Sequence, residues 1–118
     1  MRAFVIRGRP VITANSKTLA QWRQAVQYQA QAVASGIMTG PVSVELTFLL
    51  PKPKSAPRRK RIYATKRPDL DKLCRSVFDA ITHVLIADDS QVVELRALKD
   101  YGPPGVTVTV TEYSDPIG

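Results

Sequence analysis

The sequence is short of several things, and each shortage removes a class of protein. It has one cysteine, Cys74, so no internal disulfide can form, and a reducing cytoplasm is the expected setting. Cys74 lies among Leu70, Leu73, Val77 and Phe78 and reads as a small core residue, not a reactive thiol. No apolar run approaches the roughly 20 residues of a membrane span. The start, Met1-Arg2-Ala3-Phe4-Val5-Ile6-Arg7, lacks the apolar core and small-residue cleavage site of a signal peptide. The one histidine, His83, falls at the end of an expected helix, where it suits the helix dipole better than general-base catalysis. Acidic residues are scarce, ten against seventeen Lys and Arg, and the resulting net charge of +7 favours an anionic partner. Neither a membrane nor a small-molecule substrate is expected.

What is present is unevenly distributed. The 118 residues fit a single domain spanning 1–118, with no internal repeats. Residues 2–7 are rich in Phe, Val and Ile and predict a first strand, broken by Gly8-Arg9-Pro10. Ser16 is the expected N-cap of a helix running to about 35, with Leu19, Trp22, Val26, Ala30 and Val33 on one face and Gly36 as its stop. Residues 41–50 alternate apolar and polar and predict a strand. A second helix is expected over about 70–83, on the stripe Leu70, Leu73, Cys74, Val77, Phe78, Ile81 and Val84. Two more strands are expected at about 91–98 and 105–113. This order implies an α+β fold: a small mixed sheet of about four strands with two helices packed on one face.

Between the second strand and second helix the composition shifts. Residues 51–61 hold three prolines, six cations and no acid, and 51–65 are expected to form a flexible basic loop. Eight of the seventeen cations fall within 52–67: Lys52, Lys54, Arg58, Arg59, Lys60, Arg61, Lys66 and Arg67. Immediately after them, five of the ten acids fall within 69–89: Asp69, Asp71, Asp79, Asp88 and Asp89. Side chains two apart in a helix point about 200° from one another, so two fully helical aspartates cannot share an ion. Pro68 places the helix start just behind itself, which puts Asp69 at or before the N-cap and Asp71 in the first turn, where the two can converge. Aspartates at helix starts and turns also serve as ordinary caps, and that reading stands beside the chemical one. If the helix and next strand bring Asp88-Asp89 back beside the first pair, the carboxylates need a cation among them, and an all-oxygen set suits Mg²⁺ or Mn²⁺.

The runs Lys66-Arg67-Pro68-Asp69-Leu70-Asp71-Lys72-Leu73, Val77-Phe78-Asp79-Ala80-Ile81 and Asp88-Asp89-Ser90-Gln91-Val92-Val93 resemble the RusA family of Holliday-junction resolvases. That family reads approximately K-R-D-L-D-N-L, F-D-A-L-T and D-D-x-Q-V-V. The resemblance is most specific over 66–93 and extends more weakly over the whole chain. It implies a Mg²⁺-dependent homodimeric endonuclease, often prophage-borne, that nicks four-way DNA junctions symmetrically in recombination and repair. Mn²⁺ is expected to substitute. The implied metal ligands are Asp69, Asp71 and Asp89, with Asp88 as second choice. The chain departs from the pattern in three ways: Arg75 stands where the family has a catalytic lysine, Lys72 replaces an asparagine, and the span between the aspartate motifs is about one residue shorter. Arg75 keeps the charge but not the compact ammonium, and an i,i+4 ion pair with Asp71 is its alternative role.

The expected chemistry is metal-assisted phosphodiester hydrolysis, with Arg75 or Lys72 against a non-bridging oxygen. The loop cations and Lys72 form the expected DNA-binding set, a sequence-independent backbone contact. Tyr63 is a candidate for stacking on an unpaired base, with a core or loop-anchoring tyrosine as the equal alternative, and Lys99 and Arg96 extend the basic surface. Paired nicks on a two-fold junction imply two sites on one axis. The face of the first helix and the edge of the 42–50 strand are the expected dimer surfaces. The competing readings are a non-catalytic nucleic-acid-binding protein and a metal-dependent nuclease on other branched DNA. The protein is expected in the cytoplasm, at the nucleoid if bacterial.

Overall fold

The computed structural model describes residues 3–8, 19–54 and 60–113. Four strands and two helices follow in the order β1 (Ala3–Gly8), α1 (Leu19–Val33), β2 (Val42–Leu50), α2 (Leu70–Ile81), β3 (Val92–Tyr101) and β4 (Gly105–Glu112). A single 3₁₀ turn at Asp89–Gln91 leads into β3. The expected α+β layering is therefore present, with element ends moved by a few residues. Ser16, the expected cap of α1, lies outside the described residues. Among those residues no helix is long and apolar enough to cross a membrane.

Alternation decides the layers. In β2, Val42, Val44, Leu46, Phe48 and Leu50 are buried, as are Val106, Val108 and Val110 of β4. The intervening Thr107, Thr109 and Thr111 are half-buried on the open face. Trp22, Val26 and Ala30 of α1 and Leu73, Cys74, Val77, Ala80 and Ile81 of α2 complete one core against the inner face. Trp22 meets Phe48 edge to face, with ring centroids 5.9 Å apart and planes at 77°. Gly8 is where α1 comes closest to the sheet: a Cβ there would stand 3.2 Å from Val106 Cγ1 and 3.3 Å from the Ala25 carbonyl carbon. Beyond α1, Gly36 turns the chain at φ 126°, a backbone that favours glycine. Phe48→Ala is expected to lower unfolding stability by about 3–5 kcal/mol, read from the denaturant midpoint at unchanged slope. A loss below about 1 kcal/mol would contradict a central place for β2.

The sheet runs β1-β4-β2-β3, antiparallel except for β2 beside β3, which are parallel. Two consequences follow. First, β2 is paired on both sides, so it has no edge to offer a second subunit; the outer strands are β1 and β3. Alternation shows which face of a strand is buried but not who its neighbours are, and here β4 returns between β1 and β2. Second, β2, α2 and β3 form a parallel crossover, so α2 runs back against the strands. Its N-terminus lies at the carboxyl ends of β2 and β3, and its C-terminus at their beginnings.

Candidate functional site

The first aspartate pair stands at the start of α2. Asp69 is the N-cap, with extended backbone (φ −70°, ψ 142°), and Asp71 lies in the first turn. The expected helix start is therefore present. The capping alternative for Asp69 is not: its side chain makes no capping hydrogen bond, and its ion-pair partner is Lys72 at 3.8 Å. Asp71 is exposed and makes no hydrogen bond or ion pair among the described residues. The Asp71–Arg75 pair is likewise not formed, and among the described residues the exposed guanidinium of Arg75 has no hydrogen-bond or ion-pair partner. The Arg67–Pro68 peptide bond is cis.

The second pair behaves differently. Asp88 caps the 3₁₀ turn: its N–H donates to Gln91 Oε1 (2.7 Å), and its Oδ2 accepts from Ser90 Oγ (2.6 Å). The Ser90 hydrogen bond chiefly holds Asp88 below the usual carboxylate range against the opposing effect of desolvation, with lesser help from Asp89 and the Ser90 amide. Asp88 is thus occupied with local structure, while Asp89 is exposed. Gln91 anchors the whole turn, its Nε2 donating to the carbonyls of Met38 and Gly40, both at 2.8 Å.

The two pairs do not meet within one chain. Asp69 and Asp71 open α2, whereas Asp88 and Asp89 precede β3 at the helix's far end, and twelve helical residues span about 18 Å. The strand expected to return the second pair begins after it and carries Lys99, not Asp89, to the start of α2. Among the described residues, no group of three or more His, Cys, Asp and Glu side chains lies close enough to hold a metal ion together. Asp69 and Asp71 do suit a hard cation by their chemistry: both are exposed, among the described residues Asp71 has no hydrogen bond or ion pair and Asp69 only the 3.8 Å pair with Lys72, and Mg²⁺ is commonly held by one or two carboxylates plus water.

Cations flank the first pair along the chain, and Lys72 stands against Asp69 in space. Lys52, Lys54, Lys60, Arg61, Lys66, Arg67 and Lys72 are all exposed; Arg58 and Arg59 lie outside the described residues. An open groove of about 360 Å³ between the helices is lined by Arg23, Asp71, Lys72, Arg75, Ser76 and Asp79, among others. Arg23 was not legible as a site residue, because nothing in the α1 sequence says which turn faces α2. A smaller cleft of about 210 Å³ gathers Lys52, Lys60 and Arg61 beside Tyr101. Arg61 is not a free cation. Its guanidinium makes a two-pronged pair with Asp100 (2.8 and 3.1 Å) and covers the Tyr63 ring at 4.7 Å. Hydrogen bonds from Arg61 and from the Tyr101 N–H hold Asp100 below the ordinary carboxylate range. Tyr63 is 70 % exposed, so it does not anchor the core.

His83 lies beyond the helix in a turn with φ 68°, its N–H bonded to the Ile86 carbonyl. Cys74 is buried as expected, and desolvation first, then the charge of Asp71, pushes its thiol up in pKa. Asp79 is exposed on α2.

Exposed aspartates at a helix start, bordered in sequence by exposed lysines and arginines, are an arrangement suited to phosphate-backbone chemistry. Comparison narrows that class to a family. Residues 2–111 match the family described as Endodeoxyribonuclease RusA, and the chain belongs to it. It is also 38% identical over 88 residues to the uncharacterized protein YqaN of Bacillus subtilis (strain 168), a match covering 66% of this chain and 62% of YqaN.

Proposed function

We propose that this protein is a Mg²⁺-dependent, structure-selective endodeoxyribonuclease that resolves four-way DNA junctions by paired symmetric nicks. Membership of the RusA family carries the reading, and the exposed carboxylates of Asp69 and Asp71 at the start of α2, with Lys72 beside them, support it. Asp69, Asp71 and Asp89 are the proposed ligands, and Mn²⁺ substitutes for Mg²⁺. When bound, the ion supplies Lewis-acid polarisation of the phosphoryl group and a water of lowered pKa. Arg75, with Lys72 and Arg23 along the same groove, holds the non-bridging oxygens of the scissile phosphate. Lys52, Lys54, Lys60, Lys66 and Arg67 carry the flanking backbone, so affinity falls steeply with salt. The setting is recombination and repair on chromosomal or prophage DNA in the cytoplasm.

The working unit is a homodimer joined through β3. That strand is an outer strand of the sheet with Val93 56 %, Leu95 43 % and Leu98 51 % exposed. Antiparallel pairing of two copies about Leu95 sets Glu94 opposite the partner subunit's Arg96, Val93 opposite Ala97, and Val92 opposite Leu98. It also sets Lys99 opposite Gln91 of the partner subunit, so that the partner's Asp89 arrives at the end of β3 where α2 begins. The ligands that one chain keeps apart are then gathered from two.

The test is a panel of four-way junction, flap and linear duplex of matched sequence, incubated with Mg²⁺. Symmetric nicks in the junction and an intact duplex are expected. Equal cutting of the flap would replace the junction by a broader branched substrate, and no cutting with any divalent ion would remove the enzyme.

A further inference from the structure

We propose that Lys99 is the positioning residue of the first aspartate pair. In β3 it follows Leu95 and Ala97 on the inward face, and its partner across the sheet is the buried Phe48. Alternation calls for an apolar side chain at that position. A lysine there has to extend its stem along apolar surface and find acceptors for its ammonium. It does so: Nζ donates to the carbonyl of Lys66 at 2.7 Å and to that of Pro68 at 2.8 Å. These carbonyls bracket the residues immediately before Asp69, whose own carbonyl accepts the first helical hydrogen bond from Leu73 at 3.1 Å.

One charged side chain of the sheet thus sets where α2 begins and how Asp69 and Asp71 stand against β3. Local rules are most often broken where function requires it, and this break falls beside the proposed ligands. Gln91 does the same for the second pair through Met38 and Gly40, so each aspartate motif is fastened by a side chain of β3 or of the turn opening it. Arg61–Asp100 ties the preceding segment one residue further along the same strand.

The activity part of this inference rests on the nuclease reading; the structural part does not. Lys99→Met keeps the stem and removes the donors. Loss of such a supporting group typically lowers metal affinity or turnover by about 10–100-fold. The expected result is a fall of that size in kcat on the junction, a higher Mg²⁺ requirement, and junction affinity without metal within about threefold of wild type. Amide exchange should quicken selectively from Leu73, the first hydrogen-bonded amide of α2, through the turn that follows it. Lys99→Arg, which retains donors for both carbonyls, should recover most of the turnover.

Unchanged turnover and exchange in Lys99→Met would overturn the proposal. So would lost junction affinity at unchanged kcat, which marks a DNA contact instead. Should Lys99→Met not fold, ¹⁵N-lysine NMR of the wild type decides: a slowly exchanging Lys99 ammonium supports the clamp, and a freely exchanging one overturns it. If the wild type cuts nothing with any divalent ion, the nuclease reading fails while the exchange measurements still judge the clamp.

Discussion

The Asp71→Asn protein is expected to fold, to bind a four-way junction, and to cut it about a thousandfold more slowly, or worse. Asn keeps the volume and one carbonyl oxygen but removes the charge that makes the carboxylate a ligand. A thousandfold corresponds to about 4 kcal/mol of lost transition-state stabilisation, within the several kcal/mol that a catalytic cation supplies. The fold should tolerate the change. Asp71 is exposed and has no hydrogen bond or ion pair among the described residues. Its remaining structural contribution is a favourable charge in the first helical turn, about 0.3–1 kcal/mol. Junction binding should hold or tighten, since a carboxylate facing phosphate has been neutralised.

A second readout follows inside the same variant. Part of the upward push on the Cys74 thiol comes from the Asp71 charge, behind the larger effect of burial. Removing the charge should move the thiol titration down, while burial keeps it above the free-cysteine value. Thiol titration and a gel assay on labelled junction strands check the two halves. Full cleavage by a folded Asp71→Asn protein would show that Asp71 is no ligand.

Leu95→Asp is expected to convert a dimer into a monomer and to abolish paired cleavage. In the proposed pairing Leu95 lies on the two-fold axis, so one substitution is felt twice. Leu95 is 43 % exposed in the single chain, so covering it is worth about 0.6–1.3 kcal/mol, and two copies lost weaken dimerisation by roughly ten- to eighty-fold. Two carboxylates brought together there would add repulsion. Sedimentation velocity reads the assembly directly. Charge exchange tests the register: Glu94→Arg faces the partner subunit's Arg96 and should dissociate the dimer, and adding Arg96→Glu should restore it. If Leu95→Asp remains a dimer, β3 is not the interface.

Mixing tests the sharing of the site. Asp71→Asn and Asp89→Asn proteins, each inactive alone, form heterodimers in which one of the two shared sites holds every ligand. Such mixtures should recover single nicks. With sites confined to one chain, each site of the heterodimer carries a substitution, and the mixture stays inactive.

Much of the layout is written in local pattern. Val42 to Leu50 alternates because one face of β2 is buried, and the α2 stripe from Leu70 to Ile81 repeats because one side of a helix is buried. Asp69 outside the helix and Asp71 within it follow from Pro68 and residue spacing. The loss of Asp88 to a cap was only half legible: a pair of aspartates in a turn says that one will be used locally, but not which. Arg61 reads in sequence as one of a run of loop cations, and its hydrogen-bonded pairing with Asp100, 39 residues away, leaves no local mark. Lys99 looked like surface and is a clamp between β3 and the chain before Asp69. Long-range partners of this kind leave no mark in the local sequence.

By itself the sequence determined the α+β class, the elements, the core faces, the basic stretch and the family, because periodicity, turn chemistry and motif spacing are local quantities. Tertiary structure alone decided that β2 is internal and β3 an outer strand, that α2 separates the two aspartate pairs, and that Lys99 and Gln91 fasten one pair each. Strand order and crossover direction depend on which distant segments lie together, and sequence spacing along one chain does not specify that.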